Sequence, residues 1–200
     1  MASACPGCSY EQSSGGHFPL PPALGRLALL AMLAILAAIL TAAMGMQYAF
    51  GEIPCPLCLL QRYAMFGCCF GLILQLRSGR SERGTGVALI FAVLLLVIAL
   101  RQTLLDIYPR PGHAYIGSAV LGLHLPVWSA LIALALLFGL AARLALFGGV
   151  CDASDDKHHF ARLARALAVY ITLLCAINFV SAVMQCGLGE CHTFGYRLLQ

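Results

Sequence analysis

An all-α fold, a polytopic membrane helix bundle of about five transmembrane helices, is what this sequence predicts, and three observations predict it. Hydrophobic residues make up 61% of the 200-residue chain and the mean hydropathy is +0.89, against an apolar share of about 45–50% in soluble domains. Charged residues amount to only 10%, and they gather in the gaps between apolar runs. Five of those runs approach the roughly 20 residues that a helix needs to cross the hydrocarbon core. No water at mid-bilayer can satisfy a bare backbone, so each run is expected to be helical.

The first run, Leu27 to Tyr48, follows a tail of residues 1–26 that contains Gly and Pro. It is longer than the 7–15-residue core of a secretory signal, so an uncleaved span is expected. The second, Leu59 to Leu76, has Gln61 and Arg62 near its start, and the third, Val87 to Ile107, carries Arg101 near its far end. The fourth is read as Ala119 to Ala141; its Trp128, in HLPVWSAL, suits an interfacial belt. The fifth, Ala166 to Met184, leads into a tail of residues 185–200. With no internal repeat, residues 27–184 form a single membrane domain between two tails.

The net charge of +4 is a topology signal and not a nucleic-acid footprint. With five crossings, Arg26, Arg77, Arg80, Arg83, Arg143, Lys157, Arg162 and Arg165 fall on one side, and Arg62, Arg101, Arg110 and Arg197 on the other. The positive-inside rule makes the first side cytoplasmic, with the N-terminus inside and the C-terminus outside. Parity adds a statement independent of orientation. Cys55 and Cys58 follow the first span and Cys186 and Cys191 the fifth, so both pairs share one face. The charge bias makes it the external face, where disulfides form and persist.

The ten cysteines are not equivalent. Cys55 and Cys58, in CPLC, have the Cys-x-x-Cys spacing that lowers a cysteine's pKa, and they stand where the second helix should begin, at the positive end of its dipole. The alternatives are a static clip or half a metal site; a structural zinc site wants four ligands, and the other half is missing nearby. Cys186 and Cys191, in QCGLGECHTFGY, form either a structural disulfide or a mobile dithiol that shuttles electrons. Cys5 and Cys8, in CPGC, lie in the cytoplasmic tail, where thiols stay reduced. Cys68, Cys69 and Cys175 read as packing residues, and Cys151 as incidental. Arg62, one helical turn beyond Cys58, either snorkels to the headgroups or turns a permanent charge on a carbonyl or thiolate. His113 and His124 are possible hydrogen-bond donors in an external connection.

The stretch CPLCLLQRYAMFG resembles the disulfide bond formation protein B (DsbB) family, membrane oxidases that re-oxidise a periplasmic thioredoxin-like dithiol oxidase and pass the electrons to quinone. The basic loop after the second span, YPRPG and LGLHLPVW follow in the expected order, so the resemblance covers about Leu27 to Ala141. It implies that Cys55 and Cys58 form the quinone-coupled disulfide, that Arg62 contacts a ubiquinone or menaquinone, and that the partner is a periplasmic dithiol oxidase of the DsbA type. It also implies the bacterial inner membrane, with the redox cysteines on the periplasmic face. Two departures stand out. Familiar members have four spans and hold a second cysteine pair between the third and fourth, where DIYPRPGHAYIGSAVLGLHLP has none. Cys186 and Cys191, carried out by an extra C-terminal span added to the four-helix core, are expected to replace that pair.

Two other readings compete. Vitamin K epoxide reductases also couple an external Cys-x-x-Cys to quinone in a small helical bundle, but Gln61-Arg62 and LGLHLPVW fit them less well. A soft-metal (copper or zinc) membrane binding protein is suggested by ten Cys, six His and six Met. A permeation path, however, needs ligating residues at mid-bilayer on several helices, and apart from cysteines only scattered residues such as Asn178 qualify.

Overall fold

The structure is a computed structural model that describes residues 22–51, 54–78, 82–107, 119–120, 122–147 and 157–187. Five helices carry the fold: α1 (Pro22–Ala49), α2 (Pro56–Ser78), α3 (Arg83–Ile107), α4 (Leu125–Phe147) and α5 (Lys157–Cys186). All five are long and apolar enough to cross a membrane, and they make this a multi-pass membrane protein. Their outer faces are apolar along most of their length: on α3, Ile90, Val93, Val97, Leu100 and Leu104 are exposed at helical spacing. Polar side chains, among them Gln47, Gln61, Gln75, Gln102, Asn178 and Gln185, are buried instead. That inversion of the soluble pattern is what lipid as the surrounding solvent selects.

The core runs along one stripe of α1, where Leu29, Leu33, Leu36 and Leu40 recur every three or four residues and meet Cys68, Cys69 and Leu72 of α2, Ala88, Ala92 and Leu95 of α3, and Ala133 and Leu140 of α4. The tightest approach is between α2 and α3. A Cβ on Gly71 would lie 2.5 Å from the backbone nitrogen of Ala88, and one on Gly84 would lie 2.6 Å from the carbonyl oxygen of Gly71. Backbones can come so close only where side chains are absent, the usual means of helix association in lipid, where apolar surface alone gives little drive.

The fourth and fifth spans depart most from their expected bounds. The fourth span begins at Leu125 and not at Ala119. A helix running through from Ala119 would put Pro126 in its interior, removing a bond and clashing with the carbonyl of residue 122. Instead β1 (Ala119–Val120) pairs antiparallel with β2 (Leu123–His124), Ala119 opposite His124, around Gly122 at φ 78°. Gly122 adopts this left-handed conformation without strain. The fifth helix starts at Lys157 and ends at Cys186, so Cys186 belongs to its last turn and not to the tail.

The end of the bundle away from Cys55 is tied by a polar knot. Arg143 donates from Nη1 to Glu82 Oε2 at 2.7 Å and from Nη2 to Oε1 at 3.3 Å, while Thr85 Oγ1 donates to Glu82 Oε2 at 2.8 Å. Burial opposes ionisation of Glu82, but the bonds from Arg143 and Thr85 and the Arg143 charge outweigh it and hold the carboxyl below the usual carboxylate range.

α5 is fastened to the rest through polar side chains. Thr41 Oγ1 meets Tyr170 Oη at 2.7 Å, Tyr48 Oη meets Ser181 Oγ, and Gln185 Nε2 donates to the carbonyl of Pro54 at 2.7 Å.

Candidate active site

Cys55 and Cys58 are joined in a disulfide with their Cα atoms 5.0 Å apart. The local sequence builds the site. Pro56 takes the first helical position of α2, where its missing N–H and fixed φ cost nothing, which leaves Cys55 as the capping residue. Its carbonyl accepts the first helical bond from the Leu59 N–H at 3.0 Å, and its sulfur accepts from the Cys58 N–H at 3.1 Å. Sulfur thus replaces the oxygen of an ordinary N-cap, in the place where the helix dipole favours negative charge. Cys55 is 5% exposed, and Cys58 is half-buried.

A pair of buried amides from two helices completes this setting. Gln102 of α3 directs its Nε2 at both sulfurs, 3.4 Å from Cys55 Sγ and 3.5 Å from Cys58 Sγ. Gln61 of α2 fixes the orientation of that amide by donating from its own Nε2 to Gln102 Oε1 at 2.9 Å. Buried amides in a membrane span are costly unless paired, so the geometry is held firmly. Any charge developing on either sulfur meets an N–H donor already in place.

Arg62 turns inward to the junction of α1, α2 and α5. Its Nη1 donates to Gln47 Oε1 at 2.5 Å and reaches Asn178 Oδ1 and Met44 Sδ at 3.5 Å, while Nη2 donates to the Ala43 carbonyl at 2.9 Å. The side chain therefore does not snorkel. Beside it, Nδ2 of the fully buried Asn178 has no hydrogen-bond partner among the described residues.

The remaining candidates fall unevenly. Cys186 is disulfide-bonded and follows Gln185, whose amide holds the Pro54 carbonyl next to Cys55. The extra helix thus brings Cys186 to the same end of the bundle as the α2 disulfide. Cys191, Cys5, Cys8, Cys151 and His113 lie outside the described residues. Cys68 and Cys69 are buried, free thiols in the core, and Cys175 is a half-buried one. His124 is exposed on β2, and Trp128 is half-buried in the first turn of α4. Among the described residues no three His, Cys, Asp or Glu side chains come together.

Sequence reasoning missed Gln102, Gln47 and Gln185 as members of this site. The signal available was their chemistry: an amide in an apolar span is expensive enough to invite a search for its partner.

Comparison with known proteins fits this arrangement. A family model, Disulfide bond formation protein DsbB, matches residues 25–116, which include α2, α3 and all but the first three residues of α1. The Disulfide bond formation protein B of Azoarcus sp. (strain BH72) is 32% identical over 156 residues, covering 57% of this chain and 93% of that protein. The protein of the same name from Aromatoleum aromaticum is 34% identical over 88 residues, 42% of this chain and 53% of that one. The one from Verminephrobacter eiseniae is 35% identical over 77 residues, 36% of this chain and 42% of that one. The chain thus spans about half the length of these last two relatives. No solved structure matches it.

Proposed function

This chain belongs to the DsbB family, and from that premise we propose that it is a membrane thiol-disulfide oxidoreductase that re-oxidises a periplasmic DsbA-type dithiol oxidase and passes the electrons to a membrane quinone. The observation that carries the reading is the Cys55–Cys58 disulfide at the head of α2 with the Gln102 amide directed at both sulfurs. In this reading the charge bias sets the orientation, with the disulfide on the periplasmic side of the inner membrane.

Cys186 and Cys191 act as the outer pair. They accept electrons from the soluble partner by thiol–disulfide exchange, through a mixed disulfide, and are then re-oxidised by Cys55 and Cys58. The bond from Gln185 to the Pro54 carbonyl supports this pairing, because it ties the end of α5 to the segment that carries Cys55. Gln102 and the Cys58 N–H stabilise the thiolate released from the inner disulfide.

The residues around Arg62 fit a quinone. Arg62 offers a fixed positive fork and the orphaned Asn178 Nδ2 offers a donor, the chemistry that a carbonyl oxygen accepts. When bound, quinone supplies a two-electron, two-proton acceptor soluble in the lipid. Arg62 and Asn178 orient its carbonyl, while Gln47 and the Ala43 carbonyl hold the guanidinium in place.

The test is oxidation of a reduced thioredoxin-fold oxidase by purified protein with added quinone. Turnover should require quinone and both Cys55 and Cys58. The Cys186→Ser, Cys191→Ser double variant should lose turnover with the protein partner while still oxidising a small dithiol. Normal partner turnover in that variant would assign partner oxidation directly to Cys55 and Cys58, and quinone-independent turnover of the intact protein would refute the whole reading.

A further inference from the structure

At the end of the bundle away from the disulfide, α2 and α5 leave a cleft of about 530 Å³ between them. Its walls include Ile73 of α2 and Leu173 of α5, its floor on α5 is made by the small residues Ala164 and Ala168, and at its mouth stand Arg77 and Arg165. The redox chemistry has no use for this place. Arg77 lies 21 helical steps from Pro56, and Arg165 lies 21 steps from Cys186, each about 32 Å along its axis. That is one hydrocarbon thickness, roughly 30 Å, so both guanidinium groups sit at the opposite headgroup layer while the apolar walls run from there into the acyl region.

The charges at the mouth are unmatched. Both arginines are exposed, and among the described residues neither has a hydrogen-bond or ion-pair partner. Arg143 at the same end shows what the fold does with a cation it intends to neutralise, since that side chain is locked to Glu82. Thr172, the one hydroxyl lining the cleft, is already bonded to the Ala168 carbonyl, so the site offers its occupant two positive forks and an apolar slot. A phosphodiester suits paired guanidinium groups, and an acyl chain suits the slot.

We propose that this cleft binds one anionic phospholipid, with the phosphate between Arg77 and Arg165 and the upper acyl chain along Ile73, Ala168 and Leu173. The lipid fills the gap between α5 and α2, beyond the Tyr170–Thr41 clasp that ties α5 to α1. The site needs no part of the redox reading. It tests separately.

The experiment is a lipid titration of the purified, delipidated full chain, read by native mass spectrometry, with dioleoylphosphatidylglycerol or dioleoylphosphatidylcholine as the probe. Phosphatidylglycerol should form a saturable one-to-one adduct that phosphatidylcholine does not match. A basic residue near the membrane surface typically adds enough attraction for about a fivefold change, so Arg77→Gln or Arg165→Gln should each weaken the adduct about fivefold and the pair about thirtyfold. Arg77→Lys with Arg165→Lys should retain most of the affinity. Ala164→Trp, which fills the floor and leaves both charges in place, should weaken the adduct as well. Equal binding of the two lipids by the unaltered chain would overturn the proposal. So would a phosphatidylglycerol adduct that the double glutamine variant leaves unchanged, or free glycerol 3-phosphate binding as tightly as the lipid. A dimer of the chain that Ala164→Trp dissociates would assign the cleft to a second copy instead.

Discussion

Replacing Gln102 by Leu should make the Cys55–Cys58 pair a weaker oxidant, by an amount the geometry allows to be estimated. In the oxidised state the amide touches two neutral sulfurs at 3.4 and 3.5 Å, where a hydrogen bond contributes about 0.5–1.5 kcal/mol, whereas bonds to charged acceptors contribute about 1.5–3 kcal/mol. Both contacts are long, so the lower part of each range applies, and the amide favours the reduced, thiolate-bearing state by about 1–1.5 kcal/mol. For a two-electron couple 30 mV corresponds to about 1.4 kcal/mol, and loss of the amide should therefore lower the midpoint potential by roughly 20–30 mV. The variant also strips Gln61, itself 5% exposed, of the acceptor for its Nε2, at a cost of about 1–3 kcal/mol in stability. Adding Gln61→Leu should recover much of that stability and none of the potential, which separates the two effects. The assay is equilibration in thiol–disulfide buffers with the reduced fraction counted by alkylation, in a protein that keeps only Cys55 and Cys58. Gln75→Leu, a buried amide at the far end of α2, is the control. A midpoint unmoved by Gln102→Leu, or moved equally by Gln75→Leu, would refute the reasoning.

Arg62→Ala should raise the apparent quinone KM about ten- to a hundredfold, the span that about 1.5–3 kcal/mol of charge-assisted bonding represents, and an unchanged KM with normal thermal stability would remove Arg62 from the quinone site. Glu82→Gln should lower stability by no more than about 1 kcal/mol, because the carboxylate is 41% exposed and screened. The folded carboxyl titrates below its unfolded value of about 4.3, so the pair's contribution is complete above that pH and fades as pH falls through the lowered value. Melting curves of the two proteins should accordingly converge in acid and differ at neutral pH. Gly71→Val should cost about 1–3 kcal/mol or more by forcing α2 from α3, whereas Gly86→Ala, whose added Cβ meets nothing within 4 Å, should be neutral or stabilising in the same melting assay.

The spans were readable because lipid imposes length and apolarity on each one independently of its neighbours, and the parity of five crossings then places Cys55 and Cys186 at one end without any knowledge of packing. The start of α4 was less legible. Ala119 to Leu125 is apolar enough to extend the run, and only Gly122 and Pro126 together mark it as a ribbon and a turn. The rotation of each helix was the real gap. In a soluble bundle polarity separates inside from outside, but here Ile90 and Leu95 are equally apolar and face opposite ways. Gln102, separated from Cys55 by 47 positions, could be recognised as costly from its residue type, but its target depends on how α3 is turned against α2. The inward course of Arg62 likewise depends on Gln47 and Asn178, which arrive from α1 and α5.

The polar clasps of α5 bear on how the chain is assembled. In lipid, the flank of a free fifth span is as well solvated as it would be against α1, so greasy contact alone gives little preference for one axial position over another. Tyr170, Asn178, Ser181 and Gln185 supply that preference, because a slip of one turn, about 5.4 Å, would unseat all four from Thr41, Arg62, Tyr48 and Pro54 at once. The span therefore carries its own docking address. A polypeptide severed between Phe147 and Lys157 and inserted as two pieces should reunite in a single register.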